Sequence, residues 1–131
     1  MRFELVDRVL ERSPERIVTI KNVTAAEEYL ADHFPSFPVL PGVMMLEAMV
    51  QAARRLAQAA PEPLPLVLGR VRALKYGRFV RPGETIRVEV ELLKREAGSV
   101  EFRGQVLVPV PGEAGAVAAS GRFTLRPACV A

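Results

Sequence analysis

A long apolar helix between two groups of prolines limits what this chain can fold into. Residues 42–60 are mostly Met, Leu, Ala, Glu, Gln and Arg, which are good helix formers. Proline fixes φ and lacks a backbone donor, so the prolines on either side set the limits of the helix. On a helical projection the polar side chains fall within one narrow arc, so other elements must surround the rest of the helix. The polar residues are Glu47, Gln51, Arg54, Arg55 and Gln58, and the prolines are Pro35, Pro38, Pro41, Pro61, Pro63 and Pro65.

Most of the remaining sequence is typical of β-strands. Residues 85–94 alternate between apolar and charged side chains, as in a strand with one face in the core. Before the long helix, a capping box at 24–27 predicts a short helix to about residue 32, and a stiff extended loop follows over 33–41. The first apolar segment, 3–11, is ambiguous in period and is either a short strand or an extended entry segment. The other predicted strands cover 16–23, 66–76, 85–94, 100–110 and 116–125, with turns at 81–84, 97–99 and 111–115 and a rigid linker at 61–65.

One long helix and five or six antiparallel strands have few satisfactory packings. We predict an α+β domain in which a curled antiparallel sheet wraps around the central helix. The helix is too apolar for one small sheet to cover, so we expect the sheet edges of two copies to pair in a symmetric dimer. At 131 residues the chain is expected to form a single domain over 1–131.

The composition excludes several classes of protein. One histidine and one cysteine, Cys129, make a zinc or iron site improbable, and we predict that no metal is bound. The net charge of +3 is spread along the chain with few aromatic residues, which argues against a nucleic-acid groove and suits weak binding to an acidic protein partner. No apolar run approaches the roughly 18 residues of a membrane span, and the first residues lack a signal-peptide pattern. We therefore predict a cytoplasmic protein.

Three features near the start of the long helix can together move a proton beside a carbonyl group. The helix starts without a Ser, Thr, Asp or Asn cap, so the first backbone amides, those of Gly42 and Val43, are candidate oxyanion donors. Glu47 has mostly apolar helical neighbours, which suits a proton donor, and Gln51 one turn later could orient it. His33 is a natural base near neutral pH. The alternatives are a water-capped helix, a solvated Glu47 and a structural His33.

The same residues carry a family resemblance. The run His33-Phe-Pro-x-x-Pro-x-x-Pro-Gly42-Val-x-x-x-Glu47-Ala-Met-x-Gln51 resembles the FabZ-type β-hydroxyacyl-acyl-carrier-protein dehydratases. The segment 20–24 is similar to the strand before that family's first helix, and 80–84 is similar to its Val-x-Pro-Gly-Asp turn. The related FabA-type enzymes carry Asp where Glu47 stands, so the FabZ type matches better. The likeness extends from about residue 3 to residue 125.

The resemblance implies a hot-dog fold and a homodimer that can assemble further into a trimer of dimers, a hexamer. It also implies that the enzyme removes water from a β-hydroxyacyl thioester to give a trans-2-enoyl thioester in fatty acid biosynthesis. By this likeness His33 is the general base, Glu47 of the partner subunit is the general acid, and the Gly42 amide holds the thioester oxygen. No cofactor is implied, because the acyl group arrives on the phosphopantetheine arm of acyl carrier protein.

Two positions depart from the family pattern, and two other functions stay open. Asp32 stands directly before His33, and Ser36 follows His33-Phe-Pro, where the family usually has glycine at both positions. A carboxylate beside an imidazole favours its protonated form. The alternatives are an acyl-CoA thioesterase or hydratase of the same fold, and a non-catalytic acyl-binding module. Three basic side chains are candidates for contact with an acidic carrier protein: Lys75, Arg78 and Arg81. The alternative is that they lie on a solvated strand edge.

Overall fold

The computed structural model of the chain describes residues 4–24, 40–57, 66–96, 98–109 and 115–127. Within these ranges the chain forms one α-helix and six β-strands, which confirms the predicted α+β class. The elements are β1 (Arg8–Arg12), β2 (Arg16–Asn22), α1 (Gly42–Ala57), β3 (Leu66–Tyr76), β4 (Thr85–Glu96), β5 (Ser99–Val108) and β6 (Ala116–Pro127).

These elements follow the predicted ones closely except at the start of the chain. Over 3–11, where the sequence predicts a short strand or an extended entry segment, β1 begins only at Arg8 and the described residues before it lie outside any strand. Leu5 and Val6 are buried outside any strand, and the Leu5 amide donates to Gln51 Oε1 on α1 at 2.7 Å. Several predicted segments lie outside the described residues: the short helix over 25–32, the loop over 33–39, the helix end at 58–60, the linker at 61–65, the hairpin tip at 111–114 and Cys129.

All six strands form one antiparallel sheet in the order β1-β2-β4-β5-β6-β3. Although β3 directly follows α1 among the described elements, it pairs with β6 at the far side of the sheet. The helix contacts five strands, β2 to β6, because the sheet curls around it. This is the predicted arrangement of strands around a central helix, and it leaves β1 and β3 as the two sheet edges.

Small residues allow the helix and the sheet to approach closely. Ala48, Ala52 and Ala53 on α1 are completely buried. On β5, a Cβ on Gly104 would lie only 2.7 Å from the sulfur of Met49, so the glycine provides the space that this methionine fills. Close packing of this kind fixes the position of α1 relative to the sheet, and therefore also fixes where the helix begins. Within the described part of the chain, no helix combines the length and the apolar character needed to cross a membrane.

On the face of the sheet turned away from α1, one carboxyl group has several polar partners. Glu89 on β4 accepts hydrogen bonds from Gln105 and Arg87, each at 2.8 Å, and Arg16 lies 3.6 Å away. Burial acts to raise the pKa of this carboxyl. The two hydrogen bonds and the charges of Arg87 and Arg16 outweigh burial and hold the pKa of Glu89 below its ordinary value.

We expect Glu89→Gln to lower the free energy of unfolding near neutral pH, and the difference from the wild type to disappear in acid. A lowered folded-state pKa contributes stability that is present above the unfolded-state pKa and is lost as the pH falls through the folded-state value. Urea unfolding of both proteins from about pH 7 to about pH 3 measures this difference. Glu91→Gln, at an exposed position on the same strand, is the control. A difference for Glu89→Gln that stays constant with pH would contradict the expectation.

Candidate functional site

Two backbone amides in the first turn of α1 have no acceptor among the residues that the structure describes. Met44 and Met45 both donate to the Pro41 carbonyl, at 2.9 and 3.3 Å, so these bonds begin the helix. The preceding amides, those of Gly42 and Val43, have no hydrogen-bond acceptor among the described residues. The first turn also contains no acidic side chain that could compete for them. Unpaired amides at a helix N-terminus attract an oxygen that carries negative charge.

An open, mainly apolar cavity of about 460 Å³ adjoins this helix start. Leu40, Gly42 and Met45 line it from the helix side, and residues 76–79 line it from the end of β3. The Leu40 amide donates to the Val80 carbonyl at 2.7 Å, which joins the two sides. Phe79 is 61% exposed at this cavity. The volume suits a small organic ligand or one end of a longer one.

The Tyr76 side chain lies directly against Gly42. A Cβ added to Gly42 would stand 2.8 Å from Cζ of the tyrosine ring and 2.9 Å from Cε1. Any larger residue at position 42 would therefore force the ring to move. The sequence analysis did not single out Tyr76, because only the pairing of β3 with β6 brings it to the helix start.

Glu47 lies farther along α1 and does not line the cavity of its own chain. Its side chain is 39% exposed, so the carboxyl is partly accessible and not enclosed by apolar residues. Gln51 donates to Glu47 Oε1 at 3.3 Å, which is the contact that their spacing predicts, and Gln51 is itself anchored by the Leu5 amide. Arg54, which the sequence analysis left in the polar arc, lies 3.7 Å from the same oxygen and donates to the Leu66 carbonyl at 2.9 Å.

The remaining two residues of the predicted proton-transfer site lie outside the described residues. These are His33 and Asp32. The predicted pairing of His33 with Glu47, and the predicted influence of Asp32 on the imidazole, stay predictions.

The three cations predicted to contact a carrier protein do not form one cluster. Arg78 lines the cavity, and its guanidinium donates to Glu84 at 2.7 Å and to the Phe79 carbonyl at 3.0 Å. The Arg81 amide donates to the same Glu84 carboxyl at 2.8 Å, which fixes the turn. Lys75 instead lines a separate groove on the opposite face of the sheet. Their role in carrier binding stays a prediction.

Comparison with known protein families identifies the chain. The model of the ApeI-like family, described as ApeI dehydratase, matches residues 10–121. The chain belongs to this dehydratase family. In the part of the chain that the structure describes, no three His, Cys, Asp or Glu side chains come together as a metal site would require.

Curated relatives of this ApeI-like chain carry the name 3-hydroxyacyl-[acyl-carrier-protein] dehydratase FabZ. The relative from Solibacter usitatus (strain Ellin6076) is 44% identical over 105 residues, which cover 78% of this chain and 65% of the relative. The relative from Variovorax paradoxus (strain S110) is 40% identical over 112 residues, which cover 81% of this chain and 75% of the relative. The relative from Thermotoga maritima is 37% identical over 102 residues, which cover 78% of this chain and 74% of the relative. The chain thus spans about two thirds to three quarters of each relative's length.

Solved structures confirm the hot-dog fold of this ApeI-like chain. The dehydratase heterocomplex ApeI:P from Xenorhabdus doucetiae matches with a TM-score of 0.72 at 19% identity, over 95% of this chain and 82% of the other. The smu.793 protein from Streptococcus mutans UA159, bound to acetyl CoA, also matches with a TM-score of 0.72, at 12% identity, over 97% of this chain and 91% of the other. At these identities the likeness concerns the fold alone. The predicted family and the predicted enzyme class, a 3-hydroxyacyl-acyl-carrier-protein dehydratase, are confirmed by the family match and the FabZ relatives.

Proposed function

We propose that this chain, acting as a single hot-dog domain in a homodimer, removes water from a 3-hydroxyacyl thioester carried by acyl carrier protein. The observation that carries the proposal is the position of Gly42, in a chain of the dehydratase family. Gly42 lines an apolar cavity, and its amide, like that of Val43, has no acceptor among the described residues. We assign the general base to His33 and the general acid to Glu47.

In this reaction His33 removes the α-proton of the substrate, and the electron pair of the broken Cα–H bond moves toward the thioester carbonyl. The carbonyl oxygen gains negative charge and accepts hydrogen bonds from the helix-start amides, each typically contributing about 3–4 kcal/mol to lowering the barrier. The electron pair then forms the trans double bond between Cα and Cβ as the C–O bond breaks. Glu47 gives its proton to the departing hydroxyl, which leaves as water. The dehydration is balanced without a redox cofactor or a metal.

A second copy of the chain completes the proposed site. Glu47 is directed toward Gln51 and Arg54 and lies outside the cavity beside its own Gly42, so one protomer does not bring the acid to its own oxyanion donors. The strand β3 is an 11-residue edge strand whose outer side has no neighbour among the described strands. Long open edges favour pairing with another strand. Pairing of β3 with its symmetry mate would bring the two helices close enough to share residues, and dimers could assemble further into a hexamer.

The apolar lining of the cavity supports the proposal that the substrate is an acyl group carried on a phosphopantetheine arm. Leu40, Met45 and Phe79 offer apolar and aromatic surface, which suits an acyl group. The predicted acidic partner, acyl carrier protein, is drawn to a weakly basic protein by charge complementarity. The expected setting is the cytoplasm.

An assay of products tests this function. Purified protein incubated with a 3-hydroxyacyl-carrier-protein thioester should form the 2-enoyl thioester, followed by mass spectrometry of the intact carrier. Release of free thiol without an enoyl product would overturn the proposal in favour of a thioesterase. Binding of the acyl carrier without any product would overturn it in favour of a non-catalytic module. The same acyl group on coenzyme A, assayed in parallel, compares the two carriers.

A further inference from the structure

We propose that Tyr76 donates a hydrogen bond from its hydroxyl to the same thioester oxygen that accepts from the Gly42 amide. This inference rests on the proposed function, and it adds a side-chain donor to the two backbone donors of the oxyanion site. Three features support it: the position of the ring, the distance between the two donors, and the lack of another acceptor for the hydroxyl among the described residues.

The backbone around Tyr76 determines where its ring lies. Tyr76 is the last residue of β3 and pairs with Ala119 on β6. The next amide, that of Gly77, donates to the Ala118 carbonyl at 2.8 Å. A Cβ on Gly77 would collide with the Val117 carbonyl oxygen, so only glycine permits this close approach of the two strands. The end of β3 is therefore held against β6.

Gly42 provides the space for the ring on the helix side. The Tyr76 hydroxyl oxygen lies 3.2 Å from the point where a Cβ of Gly42 would stand. That point is about 2.5 Å from the Gly42 nitrogen by ordinary tetrahedral geometry. The hydroxyl and the amide nitrogen are therefore at most about 5.7 Å apart. One oxygen can accept from two donors at this separation, because each hydrogen bond spans about 2.7–3.0 Å.

The hydroxyl has no competing partner in the described part of the structure. The Tyr76 hydroxyl forms no hydrogen bond with a described residue, and the residue is 51% exposed. Among the described residues that line the cavity, the other side chains are apolar, except that of Arg78, which can only donate. A substrate oxygen that gains negative charge in this cavity can therefore accept a hydrogen bond from the hydroxyl. Since that charge is greatest in the transition state, the bond should act on kcat more than on KM.

Tyr76→Phe tests the hydroxyl alone, because the ring and its contact with Gly42 remain. We expect kcat to fall about 10- to 100-fold, somewhat less than for loss of a principal oxyanion donor. KM and the melting temperature should change little. A variant with the wild-type kcat would overturn the proposal.

A binding comparison separates hydrogen bonding from packing. Two pantetheine ligands with the same hydrocarbon tail serve as probes. One has an amide carbonyl in place of the thioester, and the other has a thioether, which has no carbonyl. Tyr76→Phe should weaken the amide about 5- to 20-fold and leave the thioether unchanged. The control Phe79→Leu alters the cavity wall and should affect both ligands equally.

An equal effect of Tyr76→Phe on the two ligands would overturn the role of the hydroxyl. The binding result does not depend on turnover. If the wild type forms no enoyl product, the proposed function fails, while the ligand comparison still decides whether Tyr76 bonds to a bound carbonyl.

Discussion

Subunits carrying His33→Ala and subunits carrying Glu47→Gln should each be nearly inactive alone and should regain dehydratase activity when they assemble together. Loss of a general acid or base lowers the rate by about 10²–10⁴-fold. In a mixed dimer, one site combines both damaged residues, whereas the other combines the intact His33 of one chain with the intact Glu47 of its partner. A site built within one chain would be damaged in both copies.

The measurement is the specific activity of the two variants after mixed refolding or co-expression with different affinity tags. Random assembly makes about half of the dimers mixed, each with one intact site, so about a quarter of the wild-type activity is expected. The control is either variant mixed with the double variant His33→Ala/Glu47→Gln, which cannot form an intact site across the dimer. Isolated mixed dimers without activity would contradict the shared site.

Much of the fold could be predicted from the sequence because the local signals and the tertiary packing agree. The alternation over 85–94 follows from β4 having one face on the helix, and Ile86, Val88 and Val90 form that face. The prolines and the helix-forming composition placed the start of α1 at Gly42. The periodicity of the N-terminal segment could not decide between a strand and an extended entry, because Leu5 is apolar for its packing against the core and lies outside any strand.

Less of the candidate site could be predicted, since its parts meet through long-range pairing. The amides of Gly42 and Val43, which lack an acceptor among the described residues, and the Gln51 contact with Glu47 both follow from helix geometry, which local sequence encodes. Tyr76 reaches Gly42 only through the order of strands in the sheet, and no local pattern signals that contact. The separation of Lys75 from Arg78 likewise depends on which face of the sheet each residue occupies.

Phe102→Ala should cause a large loss of stability while leaving the chemistry of folded molecules intact. Phe102 on β5 and Phe123 on β6 are a stacked pair with ring centroids 5.7 Å apart, and both are essentially inaccessible to solvent. Removing a buried ring loses its transfer free energy and leaves a cavity, at a cost of about 3–5 kcal/mol. A domain of this size is typically stable by only about 5–15 kcal/mol, so the loss is a large share of the total.

Denaturant unfolding measures this loss, and Val117→Ala on β6 is the matched control because Val117 is 44% exposed. The control should change the free energy of unfolding by less than about 1 kcal/mol. Phe102 does not line the cavity beside Gly42, so kcat measured well below the melting temperature should stay close to the wild-type value. A variant that keeps its stability but loses kcat would contradict this expectation and would mean that the Phe102 ring acts on the site itself. We therefore expect stability and catalysis to be separable in this chain, because the aromatic pair supports the sheet under α1, whereas the proposed oxyanion donors lie at the start of the helix.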